Sequence, residues 1–108
     1  MARYLVQASY SQQGISDMIK NPHDRAASVR PVLERMGGSV EAFYFALGDF
    51  DIVAIFDVPD NVSATALAMA IGASGGLKDY KTTVLIPMDE AVEAMRKAGT
   101  IGYQPPGG

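Results

Sequence analysis

Apolar residues dominate two neighbouring segments in the middle of the chain, 38–47 and 52–58, which are separated by the sequence Gly48-Asp49-Phe50-Asp51. Both segments are rich in β-branched and aromatic residues, which favour strands. Acidic residues beside a glycine are typical of a chain reversal. The pattern therefore predicts two strands joined as the central hairpin of a small sheet.

Simple alternation divides the first hairpin strand into two faces. One face is expected to carry Val40, Ala42, Tyr44 and Ala46, and the other Glu41, Phe43, Phe45 and Leu47. Both faces of both strands are largely apolar, whereas one layer of helices covers only one face of a sheet. We therefore expect another copy of the same sheet to cover the second face.

Hydrophobic periodicity predicts the remaining elements. In chain order they are a strand at 3–10, a short helical turn at 15–20, a helix at 22–36, the hairpin, a helix at 62–73, a strand at 77–86 and a helix from Pro87 to Gly99. Asn21 and Pro22 are expected to cap and start the first long helix, and Gly37 to end it in a left-handed conformation. Asp60 or Asn61 is expected to cap the second long helix.

This order of elements predicts an α+β fold. The first six elements form the ferredoxin-like βαββαβ arrangement, followed by an extra C-terminal helix. Two such sheets stacked face to face would make a dimeric α+β barrel. We expect one domain over residues 1–99 and an extended tail, rich in proline and glycine, over 100–108.

Composition narrows the possible functions. The 108 residues suffice for one domain, and the absence of cysteine excludes disulfides and thiolate chemistry. A net charge of −3 argues against nucleic acid, and no apolar run reaches the roughly 18 residues of a membrane span. The apolar composition, 48% hydrophobic against 19% charged, favours a homodimer or larger homo-oligomer. We expect a cytoplasmic protein because no signal-peptide pattern is present.

The acidic residues of the hairpin turn allow two interpretations. Asp49 and Asp51 could act as a base or a metal-binding pair, or could shape the turn and bind its amides. The structural role is favoured. No metal site or cofactor is predicted, because His23 is the single histidine and there is no cysteine.

Basic and aromatic residues supply further candidates. Arg25, at the predicted start of a helix, would hold a carboxylate or phosphate together with the helix amides, or form an ion pair with Asp24 or Asp51. His23 would carry protons in a nearby pocket or lie in solvent. The strand residues Tyr10, Tyr44 and Tyr80 would line a ligand cavity or pack in the core, and core packing is favoured.

Several short segments together resemble the GYD-domain proteins, a family named for a Gly-Tyr-Asp element at the central hairpin. They are Tyr10-Ser11-Gln12-Gln13-Gly14, Pro22 with Arg25 and Ala26, Gly37-Gly38, Phe43-Tyr44, Gly48-Asp49-Phe50-Asp51 with Ile52-Val53, and Thr82-Thr83. Phe50 stands where the family usually has tyrosine. The resemblance implies the ferredoxin-like fold and the dimeric barrel, and it implies no particular activity.

Two functional hypotheses result. The leading one is a homodimer that binds a small organic molecule in a cleft between sheet and helices, and whether it is an enzyme is left open. Its expected ligand-binding residues are Tyr10, His23, Arg25, Tyr44 and Asp51. The alternative is a non-enzymatic assembly or regulatory module.

Overall fold

The computed structural model describes residues 2–107 and contains one four-stranded antiparallel sheet in the order β2-β3-β1-β4. The elements are β1 (Ala2–Tyr10), α1 (Gln12–Lys20), α2 (Arg25–Arg35), β2 (Ser39–Phe45), β3 (Ile52–Val58), α3 (Asn61–Ala73), β4 (Leu77–Leu85) and α4 (Met88–Ala98). This topology confirms the predicted α+β, ferredoxin-like fold with an additional C-terminal helix. Met1 and Gly108, the ends of the predicted domain and tail, lie outside the described residues.

The core forms between one face of the sheet, here called the helix face, and helices α2 and α3. Alternate residues of the two central strands are buried there because successive strand side chains point to opposite faces. Leu33 of α2 and Leu67 of α3 close the core from above. The buried strand residues are Tyr4, Val6 and Ala8 of β1 and Ile52, Ala54, Phe56 and Val58 of β3.

The capping residues explain where the helices begin and end. The hydroxyl of Ser11 accepts a hydrogen bond from the N–H of Gly14 at 3.0 Å, so α1 is a full helix from Gln12 and not the predicted turn from residue 15. Asp24, and not Asn21, caps α2. Pro22 consequently lies in the connection before the helix, and its predicted place at the first helical position is wrong.

The other two predicted helix boundaries are confirmed. Gly37 has φ +80° after the last residue of α2, a conformation that glycine adopts without a Cβ clash. Asp60 caps α3, with its carboxylate 2.8 Å from the N–H of Ser63. The hydroxyl of Tyr4 donates to Oδ1 of Asn61 at 2.6 Å and thereby fixes the start of α3 to the sheet.

A bulge in β2 changes the predicted faces of that strand. Val40 lies opposite Phe56 on the helix face, but the register shifts before Ala42, which lies opposite Ile55 on the other side. The residue left between them is Glu41, as in a β-bulge, where two residues face one. The predicted grouping of Val40 with Ala42 and Tyr44 is therefore wrong.

The second face of the sheet, here called the open face, has an apolar centre with charged and polar residues around it, among them Arg3, Asp57 and Lys81, and it is not covered within the described chain. Its residues alternate with the buried core positions in β1 and β3. It carries Leu5, Val53 and Ile55 at its centre, and Ala42, Tyr44 and Leu85 towards the outer strands. The bare face is the one that the sequence analysis expects a second sheet to cover.

Helix α4 extends away from the sheet and packs closely against no other described element. The molecule measures 59 × 34 × 24 Å and has a radius of gyration of 17.6 Å. A compact chain of this length has a radius of gyration of about 13 Å. Met88, Val92 and Met95 recur at helical spacing on α4 and are exposed, as are Ile101 and Tyr103 of the tail, which do not dock on the body.

Candidate functional site

A cavity of about 320 Å³ lies between the helix face of the sheet and helices α2 and α3. Helix α2 lies over β2 and α3 lies over β4, so the space between the two helices opens above the central strands. The walls are almost entirely apolar. The lining residues are Val6, Ala8, Tyr10, Arg25, Val29, Val32, Phe43, Ile52, Phe56, Leu67, Ala70, Ile71, Ser74, Gly76, Leu77 and Tyr80.

Two tyrosine hydroxyls are among the few polar groups of this cavity. Burial raises the pKa of Tyr80 from 10.0 to about 12, although the nearby Thr82 acts in the opposite direction. Burial also raises the pKa of Tyr10, and the neighbouring Arg25 guanidinium only partly offsets this rise. Both hydroxyls are therefore neutral at physiological pH and are able to donate hydrogen bonds.

Arg25 is the first residue of α2. Of the described residues that line the cavity, it is the only charged one. Within residues 2–107, no carboxylate oxygen lies within 4.0 Å of its guanidinium, so neither Asp24 nor Asp51 forms the expected ion pair. The first amides of α2 are occupied, because Oδ1 of Asp24 accepts from the N–H groups of Ala26 and Ala27 at 2.9 and 3.4 Å. These two amides are therefore not free to bind an anion, as one of the two interpretations of Arg25 requires.

His23 contacts Arg25 from outside the cavity. Its Nε2 lies 3.2 Å from Nη1 of Arg25, and its Nδ1 lies 2.8 Å from the carbonyl oxygen of Asn21. An N–H at Nδ1 that donates to this carbonyl leaves Nε2 to accept from Arg25. His23 is exposed and borders a separate surface groove beside Pro22 and Phe45. It is placed to orient Arg25 and not to touch a molecule in the cavity.

Asp51 has a structural position at the end of the hairpin turn. Its Oδ2 accepts a hydrogen bond from the N–H of Tyr10 at 3.0 Å, and its own N–H donates to the carbonyl of Ala8 at 2.9 Å. Asp49 contributes only its backbone carbonyl, which is 3.4 Å from the hydroxyl of Ser9. These contacts agree with the structural interpretation of both acidic residues.

The structure brings four of the five expected binding residues together. Tyr10 and Arg25 line the cavity, and His23 and Asp51 contact these two from outside. Tyr44 lies opposite Val53 on the open face and is 68% exposed, so it is separated from the cavity by the sheet. Tyr80, which the sequence analysis names as a possible cavity residue but leaves out of the expected ligand-binding set, lines the cavity. Alternation along β4 places it on the helix face together with Thr82 and Val84.

The described residues offer neither a metal site nor a membrane-crossing helix. Residues 2–107 contain no cluster of three or more His, Cys, Asp or Glu side chains that would hold a metal ion. Within the same residues, no helix has both the length and the apolar character needed to cross a membrane.

A family model of the GYD domain matches residues 4–95, and the chain therefore belongs to the GYD-domain family. No curated protein matches the chain. Phe50, at the position that names the family, is partly buried, and Nζ of Lys81 lies 5.7 Å from its ring centroid. This contact depends on the aromatic ring, which phenylalanine and tyrosine share, and not on a hydroxyl group.

Proposed function

We propose that this member of the GYD-domain family binds a small organic molecule in the cavity between its sheet and helices α2 and α3. The observation that carries the proposal is the cavity of about 320 Å³, within the range of about 300–1,000 Å³ that is usual for ligand sites. Apolar walls with a few convergent polar groups are the general character of such sites.

The cavity is a cleft that is open to solvent on one side, since Ala70 and Ser74 of its lining are exposed whereas Ala8 and Phe56 are buried. Small side chains, among them Ala8 of β1 and Ala70 of α3, leave this space between the sheet and the helices. A partly open apolar cleft gives a small molecule both a way in and a surface to pack against.

Binding is better supported than catalysis. Apart from Arg25 and the two tyrosines, the lining supplies the hydroxyl of Ser74, which donates to the carbonyl of Ile71 at 2.6 Å within its own helix. Among the described lining residues there is no carboxylate or histidine to act as a general base at neutral pH. The proposed function is therefore recognition of a ligand, without a defined reaction.

We further propose that the protein acts as a homodimer in the cytoplasm, with the open faces of two sheets packed together as a barrel. Leu5, Val53 and Ile55 form an apolar centre on this face. Charged residues surround this centre, since Arg3 pairs with Glu41 and Asp57, and Lys81 of β4 lies on the same face. An apolar centre with a polar rim is the usual arrangement of a subunit interface.

A second candidate function is a non-enzymatic assembly module. The observation that favours it is α4, whose apolar residues Met88, Val92 and Met95 are exposed and contact no other described element closely. An amphipathic helix without a partner in its own chain suits contact with another subunit. In this case the cavity would be incidental.

Indole, a neutral aromatic molecule of suitable size, tests the binding proposal. In ¹⁵N-¹H NMR titrations of the full chain, we expect indole to shift amide signals of residues that line the cavity, such as Val29 and Leu77. The variant Ala70→Leu, which places a larger side chain at the exposed edge of the cavity, should weaken this binding at least about tenfold. The matched control Ala66→Leu lies on the outer side of the same helix and should leave it unchanged.

Binding of indole that is equally strong in the Ala70→Leu and Ala66→Leu variants would contradict the proposal, as would signal shifts confined to the open face. Dispersed amide spectra of both variants would establish that each is folded. Mass spectrometry of the protein purified under native conditions provides an independent measurement, because a ligand held in the cavity would be released on denaturation.

A further inference from the structure

The described lining of the cavity carries a single charge, which is positive. It belongs to Arg25, and no Asp, Glu, Lys or His is among the described lining residues. Arg25 is only partly buried, so its guanidinium remains accessible and is available to an anion that enters the cavity. The positive charge and the hydroxyl groups of this wall therefore favour a ligand that carries acceptor oxygens.

The contacts of Arg25 within the protein leave most of its donors unused. Its guanidinium has five N–H donors, of which Nη1 lies 3.2 Å from Nε2 of His23 and another lies beside the Tyr10 hydroxyl. Within residues 2–107, the ion pairs involve Arg3 and Arg96 instead, with Glu41, Asp57 and Glu93 as their partners. The planar guanidinium is suited to binding both oxygens of a carboxylate.

The two tyrosines extend the same pattern of donors. The Tyr10 hydroxyl lies close to the guanidinium, and Tyr80, whose hydroxyl has Thr82 beside it, also lines the cavity. Neutral tyrosine hydroxyls donate hydrogen bonds to an anion. A molecule that satisfies these groups needs acceptor oxygens at the Arg25 end and an apolar body for the rest of the space.

We propose that the ligand is a small organic carboxylate, with its carboxylate against Arg25 and Tyr10 and its apolar body between Val29, Ile71 and Leu77. This inference rests on the proposed function of the cavity as a binding site. It favours a carboxylate over a phosphate, because one guanidinium with neutral hydroxyls suits a monoanion. The α2 amides that would help to hold a phosphate are already bound by Asp24.

A pair of probes that differ only in charge tests the inference. The probes are 3-phenylpropionate and the neutral 3-phenylpropionamide, titrated into the full chain at low ionic strength and followed by amide NMR shifts. We expect the carboxylate to bind at least about tenfold more tightly than the amide, because hydrogen bonds to charged groups are the stronger ones.

Substitutions of two arginines in α2 test whether Arg25 causes the preference for the carboxylate probe. Arg25→Met keeps the apolar stem without the charge and should abolish the preference for the carboxylate. Arg25→Lys keeps the charge without the planar fork and should retain part of it. The matched control Arg30→Met removes an exposed arginine outside the cavity and should leave the preference intact.

The possible failures are distinguishable. If indole binds in the cavity and the wild-type protein binds both phenylpropionyl probes equally, the carboxylate inference is wrong and the proposed function stands. If indole and both probes all fail to bind, both proposals are wrong. Dispersed amide spectra would establish that the Arg25 variants are folded. If folded Arg25→Met still bound the carboxylate more tightly than the amide, the inference would also be wrong.

Discussion

Oδ2 of Asp51 lies 3.0 Å from the backbone nitrogen of Tyr10 and accepts a hydrogen bond from its N–H group. The backbone of Asp51 also bonds β1 and the end of β2, through the carbonyl of Ala8 and the N–H of Ala46. Tyr10 is the last residue of β1, at a register shift against β4. Asp51 therefore holds the end of β1, and with it a tyrosine of the cavity, against the hairpin turn.

We expect Asp51→Ala to lower the free energy of unfolding by about 1–3 kcal/mol, because the N–H of Tyr10 would lose its acceptor. Chemical denaturation measures this change. The matched control Asp49→Ala removes a side chain of the same turn that forms no hydrogen bond or ion pair within residues 2–107, and it should change stability by less than about 0.5 kcal/mol. Unchanged stability of Asp51→Ala with lost binding of 3-phenylpropionate would instead assign Asp51 a direct role in binding.

Gly14 is required by a close approach between α1 and the start of β4. A Cβ built at this position would lie 2.5 Å from the carbonyl oxygen of Gly76, which also accepts the N–H of Ser11 at 2.9 Å. We expect Gly14→Ala to lower the free energy of unfolding by about 1–3 kcal/mol, because the backbone must move to relieve the clash. Thermal and denaturant unfolding would measure this loss.

The same substitution at Gly72 provides the control. Gly72 lies in α3, and a Cβ there would meet nothing within 4 Å. Gly72→Ala should therefore stabilise the protein by about 0.5–1 kcal/mol, since alanine favours a helix more than glycine does. Destabilisation of similar size in both variants would show that the close approach at Gly14 is not the cause.

The fold was predictable because alternation in β1 and β3 is regular and because α3, although apolar nearly all round, lies between clear capping and glycine signals, Asp60 before it and Gly75-Gly76 after it. The end of α2 was predictable from Gly37, whose left-handed conformation is the usual way for a helix to stop. The start of α2 was not, because Asn21 and Asp24 are both good caps in the sequence. Which of them caps the helix is decided by how the connection packs after α1.

The site was only partly predictable, because its register depends on one irregular residue. A bulge at Glu41 reverses the faces in β2, so Tyr44 reaches the open face while Phe43 lines the cavity. Strict alternation carries no sign of such an inserted residue. Tyr10 and Arg25 were predictable as candidates from their residue types, but their meeting at one cavity depends on how α2 packs over the sheet.

The ionisation of Tyr80 gives a prediction about alkaline pH. Burial raises its pKa from 10.0 to about 12, so the folded protein holds this proton more strongly than the unfolded chain does. The corresponding stability is fully present below pH 10 and is lost as pH rises towards 12. Ultraviolet difference titration of the wild-type protein against Tyr80→Phe should assign the late-titrating phenol to Tyr80. A Tyr80 phenol that titrates at pH 10 would contradict its burial.

The open face makes the proposed homodimer testable through one residue. Ile55 lies at the centre of this face, opposite Leu5, and Ile55→Glu would place an unpaired carboxylate between two packed sheets. We expect sedimentation velocity at micromolar concentration to show a dimer for the wild-type protein and a monomer for the variant. The dissociation constant should rise at least about a hundredfold, because a buried unpaired charge costs several kcal/mol.

The control Met69→Glu introduces the same charge on the exposed outer side of α3, away from this face, and should leave the dimer intact. A wild-type monomer under these conditions would rule out the barrel, and a dimer that is lost only in Met69→Glu would place the interface on the helical side of the protein.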